Sequence, residues 1–385
     1  MELYNFAKKI KMVENGETIS KQAYSAARKK LNPQIFKLLN VNYLNRIYSV
    51  KGNYKTFNGY LLIACDGSKP VLPNNKSLRR WFGGEKCDDG VIRSTNGNMS
   101  VSYDCLNHFI IDLVIDKYNT SEKILLKENL KNMSEIGFLK DKLKIFILDR
   151  GYPSLELFYQ LIYQEKQSFV IRLKKSNYKK EREAMKTNDG FVDIMLTNQR
   201  IASSKASKAI KEEFKKLGKM NLRITTITLK NGEKEYLISN LPMNEFTHED
   251  IREIYRLRWE VETLYDRLKN FLSVENVRGQ SKLTVEQDFY SQLIIHNIVM
   301  DMAHESGLER QKRGIFNDKE KNRKINMNSA IGLFKSDIIE IIREPDKKKR
   351  NKMFDQLIER ISKRSHTTQH SKNKKKIKTR HSKKS

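Results

Sequence analysis

Two short apolar runs, each ending at an aspartate, constrain the fold of this chain more than any other feature. The run Leu61–Cys65 ends at Asp66, and the run Ile145–Leu148 ends at Asp149. Uninterrupted apolar runs of this length predict strands that are buried on both faces of a sheet. A single aspartate at a strand end is most often a turn or helix cap. The meaning of this pair therefore depends on the elements around it.

The elements around the two aspartates follow a definite order. Two further strands are predicted at residues 99–106 and 109–118, and another at Phe169–Leu173. Helices are predicted at residues 120–137 and 154–167. The order strand, strand, strand, helix, strand, helix, strand is that of an α/β ribonuclease H-like core, a mixed sheet with flanking helices. Such a core places one carboxylate on its first strand and another just after its fourth, as the two aspartates are placed here.

A third acid lies on a predicted helix that runs from about Thr247 to Leu272. One face of this helix carries a polar row within an arc of about 60°: Tyr255, Arg258, Glu262 and Lys269. An acid among cations suits a nuclease, because the acid can hold a metal ion and the cations can hold phosphates. A surface ladder of salt bridges is the alternative if the row is taken alone.

The chain is strongly basic, with 75 Lys and Arg, 46 Asp and Glu, and a net charge of +29. The usual partner of such a chain is a polyanion, with nucleic acid the first candidate and an anionic membrane surface the second. No run approaches the roughly 18–20 apolar residues of a membrane span, so we expect no membrane partner. The cysteines lack metal-ligand spacing and the first residues lack a signal-peptide core, which indicates a cytoplasmic protein, bound to the nucleoid when it holds DNA.

The sequence resembles the DDE transposases of bacterial insertion sequences, in particular the family named after insertion sequence four. The resemblance covers roughly residues 17–335 and rests on three elements with intact spacing: Tyr255-xx-Arg258-xxx-Glu262-xxxxxx-Lys269, Asp149-Arg-Gly-Tyr152 and Ala64-Cys-Asp66-Gly-Ser68. The first of these is the Tyr-Arg-Glu-Lys signature of the family. Together with two aligned aspartates it is highly specific, whereas either aspartate element alone is weak.

The resemblance implies a catalytic triad of Asp66, Asp149 and Glu262. Three carboxylates can hold two Mg²⁺ or Mn²⁺ ions about 3.5–4 Å apart, and oxygen ligands suit these metals better than zinc. The resemblance also implies DNA-contacting side chains at and beside this site: Tyr255, Arg258, Lys269, Arg150 and Tyr152.

The same resemblance implies the function of a transposase. Such an enzyme binds double-stranded DNA at the terminal inverted repeats of an insertion sequence, cuts there, and joins the ends to target DNA, as a homodimer in the synaptic complex. Two alternatives stay open: a host nuclease of ribonuclease H-like fold, such as a resolvase, and a DNA-binding protein without catalytic activity that descends from a transposase. Strand joining and metal-dependent cleavage separate these alternatives.

Five segments are expected along the chain. They are a helical N-terminal DNA-binding region at 1–50, the first part of the catalytic core at 51–173, a partly β insertion at 174–235, the second part of the core with C-terminal helices at 236–345, and a basic tail at 346–385. The N-terminal helices fit either a helix-turn-helix or a hairpin packed on the core. Asp149 and Glu262 are 113 residues apart, whereas one helix and one strand need only about 20. The third segment is therefore expected to be an insertion that lies over the active site.

Overall fold

The strand that carries Asp66 lies inside a nine-stranded sheet. The computed structural model describes residues 20–86, 88, 90, 92–271, 277–312 and 323–367. Within these residues the strands are β1 (Leu61–Ser68), β2 (Val71–Leu72), β3 (Thr95–Asp104), β4 (Phe109–Lys117), β5 (Lys144–Leu148), β6 (Ser168–Leu173), β7 (Asp189–Met195), β8 (Lys219–Thr228), β9 (Lys234–Ser239), β10 (Arg323–Ile325) and β11 (Ser365–Thr367).

The helices of the same residues lie between these strands and after them. They are α1 (Lys21–Lys29), α2 (Gln34–Tyr48), α3 (Lys76–Phe82), α4 (Glu122–Ser134), α5 (Leu155–Tyr159), α6 (Lys179–Glu183), α7 (Asn198–Ser203), α8 (Lys208–Leu217), α9 (His248–Arg256), α10 (Trp259–Phe271), α11 (Lys282–Lys312), α12 (Met327–Arg343) and α13 (Lys347–Ser362). None of the described helices is long and apolar enough to cross a membrane.

The core of the sheet has the strand order β4-β3-β1-β5-β6. β1 pairs antiparallel with β3 and parallel with β5, and β5 pairs parallel with β6. The apolar runs of β1 and β5 are buried, as the sequence predicts. α4 packs on β1, β3 and β4, and α10 packs on β1. This arrangement confirms the expected ribonuclease H-like α/β class.

The sheet continues from β6 through β9 and β8 to β7, and every one of these pairings is antiparallel. β7 and β8 belong to the segment 174–235, which was expected to lie over the active site. These two strands extend the edge of the core sheet, because β9 offers hydrogen-bonding partners on both sides, and the position of the segment over the active site stays a prediction. Ile238 of β9 pairs with Ile171 on one side and Ile224 on the other, and all three side chains are buried. The outer boundaries of the segment stay a prediction.

The predicted helix from Thr247 to Leu272 is two helices, α9 and α10. The Thr247 cap is present as a capping box with Asp250, but α9 ends at Arg256 and α10 begins at Trp259. Between them the Arg258 backbone N–H donates to the carbonyl oxygen of Tyr255 at 3.0 Å, a three-residue step tighter than an α-helix. Helical periodicity does not reveal this break, because no glycine or proline marks it. The 60° arc expected for the polar row assumes a continuous helix, whereas the row spans two helices.

Two helices before β1 belong to the segment 1–50, of which residues 1–19 lie outside the described residues. Leu44 and Tyr48 of α2 are buried. The Lys37 Nζ atom lies 3.0 Å from Asp112 Oδ1 in β4, and the Asn40 amide donates to the carbonyl oxygen of Ile110 at 3.2 Å. α2 therefore packs on the core sheet.

The chain forms two compact units, Gln22–Asn297 and a unit that includes the C-terminal residues from Ile298. In the second unit α12 packs against α13, and β10 pairs with β11. α13 lies in the segment 346–385 that was expected to be a tail. Leu357 and Ile361, about one helical turn apart, are buried and stabilise it. Residues 368–385 lie outside the described residues.

A buried arginine links β7 and β8 to the start of α9 by hydrogen bonds. The Arg223 guanidinium in β8 donates to both carboxylate oxygens of Asp189 in β7, at 2.8 and 2.6 Å. Its third nitrogen donates to the carbonyl oxygen of Phe246 at 2.8 Å. Phe246 directly precedes Thr247, the residue that caps α9. Because Arg223 is almost fully buried, its charge depends on Asp189 for compensation.

We expect Asp189→Asn to lower the melting temperature by at least about 5 °C, because breaking one partner of a buried ion pair costs about 3–5 kcal/mol. The matched control is Asp193→Asn on the same strand, whose partner Lys219 is exposed. This control is expected to shift the melting temperature by less than about 2 °C, since exposed ion pairs contribute little. Thermal unfolding by circular dichroism measures both, and equal melting temperatures would contradict the assignment.

Candidate active site

The register between β1 and β5 places Asp66 beside Asp149. Cys65 pairs with Leu148 in parallel strands, so the next residue of each chain segment is an aspartate. Neighbouring strands lie about 4.8 Å apart. β1 is antiparallel to β3 on its other side, so strand direction changes across the sheet at this point. Such a position at the carboxyl ends of parallel strands is where open α/β sheets most often bind ligands.

Arg258 links Glu262 to this pair of aspartates. Its Nη2 atom donates to Glu262 Oε1 at 2.9 Å, and its Nη1 atom lies 3.9 Å from Asp66 Oδ2. The Arg258 side chain is only 6% exposed, whereas the Glu262 side chain is 41% exposed. The turn between α9 and α10 directs the guanidinium inward, so it forms an ion pair with two of the three predicted acids.

Two tyrosines hold the remaining parts of the site. The Tyr255 hydroxyl donates to Asp149 Oδ1 at 3.1 Å, so the first residue of the signature contacts the acid that Arg258 does not pair with. The Tyr265 hydroxyl donates to the backbone carbonyl oxygen of Asp66 at 2.6 Å, which fixes α10 against β1. Sequence reasoning missed Tyr265. Its spacing could have revealed it, because a residue three positions after Glu262 lies next to Glu262 on a helix.

The charge balance at Asp66 favours binding of a further cation. The pKa of Asp66 is raised to about 6, mainly by burial and to a smaller extent by the negative charges of Glu122 and Asp149. A hydrogen bond from the Gly67 backbone N–H and the charge of Arg258 act in the opposite direction. Glu122 was also missed from the sequence, because the first residue of a helix is commonly acidic for structural reasons.

The donors at this place are carboxylate oxygens, which suit Mg²⁺ and Mn²⁺. In the described part of the chain no three acidic, histidine or cysteine side chains are grouped so that they could already enclose an ion. The Arg258 guanidinium lies between Asp66 and Glu262 and supplies the positive charge there. The donors are of the kind that fit a divalent ion, and Glu262 is held by Arg258 in this conformation.

The five predicted DNA contacts have different environments. Arg150 is exposed. Tyr255, Arg258 and Tyr152 are buried, and the first two contact the acids, so they do not present a surface to DNA in this conformation. The Lys269 side chain lies outside the described residues. Arg150 is therefore the predicted contact that is open to a DNA backbone here.

Two cavities reach the turn that follows Asp149. The first, called here the basic groove, has a volume of about 470 Å³ and is lined by Arg150, Arg172, Leu173, Lys174, Lys175, Lys234, Glu235 and Tyr236. The second, called here the lysine cavity, has a volume of about 820 Å³, and its lining includes Lys69, Glu122, Lys123, Lys127, Gly151 and Lys205. Cations thus line the surface on two sides of the acids.

We expect Asp66→Asn to raise the melting temperature of the metal-free protein at pH 8 by roughly 2–6 °C. Because the pKa of Asp66 is raised to about 6 in the folded state, stability that is present below the usual carboxyl pKa is lost as pH rises through about 4 to 6. Asparagine keeps the shape and removes the charge. Thermal unfolding with a chelator at pH 8 and pH 5 measures the effect, which is expected to shrink at pH 5. A melting temperature of the variant below that of the wild type at pH 8 would contradict this prediction.

The sequence is similar to known transposases. The putative transposase InsL of insertion sequence element IS186A, from Escherichia coli strain K12, and the transposase of insertion sequence element IS421, from Escherichia coli, are each 27% identical to it over 79 residues. That stretch is 20% of this chain and 21% of each relative, so the match spans only a small part of their length.

A solved structure, the piggyBac transposase synaptic complex with hairpin DNA, aligns with 77% of this chain and 57% of its own chain, at a TM-score of 0.38 and 12% identity. The chain also matches the family described as Transposase DDE domain, over residues 63–298. This range is more than half of the chain and includes Asp66, Asp149 and Glu262. The chain therefore belongs to the DDE transposase domain family.

Proposed function

We propose that this chain is a transposase that cuts DNA with Asp66, Asp149 and Glu262 as its catalytic residues. The observation that carries the proposal is the polar network in which Tyr255 and Arg258 contact all three acids. The acids come from two strands and a helix that are far apart in sequence. A salt-bridge ladder on a helix surface would not reach the ends of β1 and β5.

The three carboxylates would hold two Mg²⁺ or Mn²⁺ ions. When bound, such ions activate the attacking oxygen and stabilise the leaving oxygen of a phosphodiester. Glu262 is the most exposed acid of the three and gives up its bond to Arg258. The freed guanidinium then faces a DNA phosphate, for which its planar donors are suited. Tyr255 retains its hydrogen bond to Asp149 Oδ1 and thereby orients the other oxygen of that carboxylate.

The two cavities beside the acids support DNA as the substrate. Arg150 is at the end of the basic groove next to Asp149, and Lys174, Lys175 and Lys234 continue the line of cations. Lysine and arginine side chains bind DNA mainly through its phosphates, which fixes the position of the duplex without reading its sequence. The duplex would cross the acids between the basic groove and the lysine cavity.

The full reaction proposed is cut-and-paste transposition. The protein would bind the terminal inverted repeats of an insertion sequence as a homodimer, cut at the ends of the element, and join the 3′ ends to target DNA. Support comes from the family and from the relatives, which are transposases of insertion sequences. Base-specific recognition of the ends is assigned to the N-terminal region and the catalytic body.

We expect Asp66→Ala, Asp149→Ala and Glu262→Gln each to abolish cleavage while DNA binding persists, because residues that act as one unit cannot substitute for each other. The substrate is duplex DNA from the flanks of the coding sequence, assayed with Mg²⁺ for cutting and for joining to a plasmid. The matched control is Glu260→Gln, on the same helix as Glu262 and beside His108.

The outcomes separate the possible functions. Cleavage at a near wild-type rate by any triad variant would show that the residue is not catalytic. Cleavage by the wild type without joining would favour a nuclease of the resolvase type. Binding without metal-dependent cleavage would favour a DNA-binding protein that has no catalytic activity.

We expect the double variant Lys174→Ala with Lys175→Ala to weaken DNA binding and to lower the salt slope of the binding constant by about one unit for each lost phosphate contact. The matched control is Lys215→Ala with Lys216→Ala, an adjacent pair on α8 whose charges are engaged by Glu212 and Glu213. Fluorescence anisotropy across a salt series measures both slopes. Equal slopes in the two double variants would show that the lysines of the basic groove do not contact DNA.

A further inference from the structure

Glu122, the first residue of α4, lies against the backbone that follows both triad aspartates. A methyl group placed on Gly67 would lie 3.1 Å from Glu122 Cγ and 3.3 Å from its Oε1 atom. A methyl group placed on Gly151 would lie 3.5 Å from Glu122 Oε2. Gly67 directly follows Asp66, and Gly151 is two residues after Asp149. The carboxylate of Glu122 therefore reaches the ends of β1 and β5 where the two aspartates are.

Three lysines of the lysine cavity that Glu122 lines have other partners. Lys123 Nζ donates to the carbonyl oxygen of Pro153 at 3.3 Å. Lys127 pairs with Glu156 at 2.7 Å, and Lys69 lies over the ring of Tyr118. Among the described residues no ion pair with Glu122 is found, and its negative charge acts on Asp66 together with that of Asp149.

A buried hydroxyl beside these acids has no partner. Tyr152 is 1% exposed, and its hydroxyl makes no hydrogen bond within the described part of the protein. Burial and the charges of Asp66 and Glu122 raise the pKa of Tyr152 well above its usual value. An unsatisfied buried hydroxyl destabilises the folded protein. A polar ligand at this point, such as the water of a hydrated cation, would satisfy it.

A purely structural role for Glu122 explains only part of these observations. An acid in the first turn of a helix is stabilised by the helix dipole, and this explains why α4 begins with a glutamate. It does not explain the approach of the carboxylate to Gly67 and Gly151, or the unpartnered Tyr152 hydroxyl.

We propose that Glu122 is a fourth carboxylate of the metal site and holds a divalent cation together with Asp66, while the Tyr152 hydroxyl donates to a water on that cation. This inference rests on the proposed metal-dependent cleavage. It assigns to α4 a part in metal binding that the Tyr-Arg-Glu-Lys signature does not contain. Mg²⁺ commonly keeps several waters and uses few direct protein ligands, so a fourth carboxylate that binds through water suits it.

The test compares Glu122→Gln with Glu128→Gln in the full-length protein. Glu128 is on the same helix and exposed. Mn²⁺ binding is measured without DNA by electron paramagnetic resonance of the free ion, and the Mg²⁺ concentration for half-maximal cleavage is measured with DNA. Groups that orient metal ligands contribute about 10- to 100-fold to metal affinity. We expect Glu122→Gln to weaken Mn²⁺ binding at least about tenfold and to raise the half-maximal Mg²⁺ concentration similarly, with Glu128→Gln unchanged.

Two further variants make the result specific. Glu122→Asp keeps the charge and is expected to bind Mn²⁺ with an intermediate affinity, and Tyr152→Phe is expected to weaken binding less than Glu122→Gln. If Glu122→Gln lowers only the melting temperature and keeps wild-type affinity for Mn²⁺ and Mg²⁺, Glu122 is a helix-capping acid and the inference is wrong. If the wild type shows neither Mn²⁺ binding nor metal-dependent cleavage, the proposed function itself fails.

Discussion

Parallel pairing of β1 with β5 is the constraint on which the rest of the site depends. It aligns Cys65 with Leu148 and so brings two carboxylates to neighbouring strand ends. Like charges this close repel, and burial makes each charge more costly. The Gly67 backbone N–H and the Arg258 guanidinium offset part of that cost. In the proposed function a divalent cation takes over this task during catalysis, so the same repulsion that destabilises the metal-free site attracts the metal.

The break between α9 and α10 has a specific role in this charge balance. In a continuous helix the arginine of the signature would remain on the surface row with Glu262. The tight turn at Leu257–Arg258 instead directs its guanidinium toward Asp66. Departures from regular geometry are common at functional sites, where surrounding contacts stabilise them. Here Tyr265, bonded to the backbone of Asp66, provides such a contact.

Local sequence patterns were sufficient to predict the strands of Asp66 and Asp149, because an apolar run of strand length is itself the signal. They were insufficient where the structure depends on partners distant in sequence. The pairing of β7 and β8 with the core requires β9, which is separated from β6 by 60 residues. The approach of Glu122 to Gly67 requires α4 to fold back onto β1. α13 was missed because its lysine-rich first turn resembles the tail that follows it.

In the proposed function, the continuous sheet fixes the distance between the scissile bond and the side chains that bind the DNA backbone. Lys174 follows the end of β6, and Lys234 begins β9, at the same sheet edge as Asp149. From β5 to β9 is two strand spacings, about 10 Å, maintained by backbone hydrogen bonds. In the proposed function, the offset between the cut and the phosphates in the basic groove would therefore be set by strand pairing.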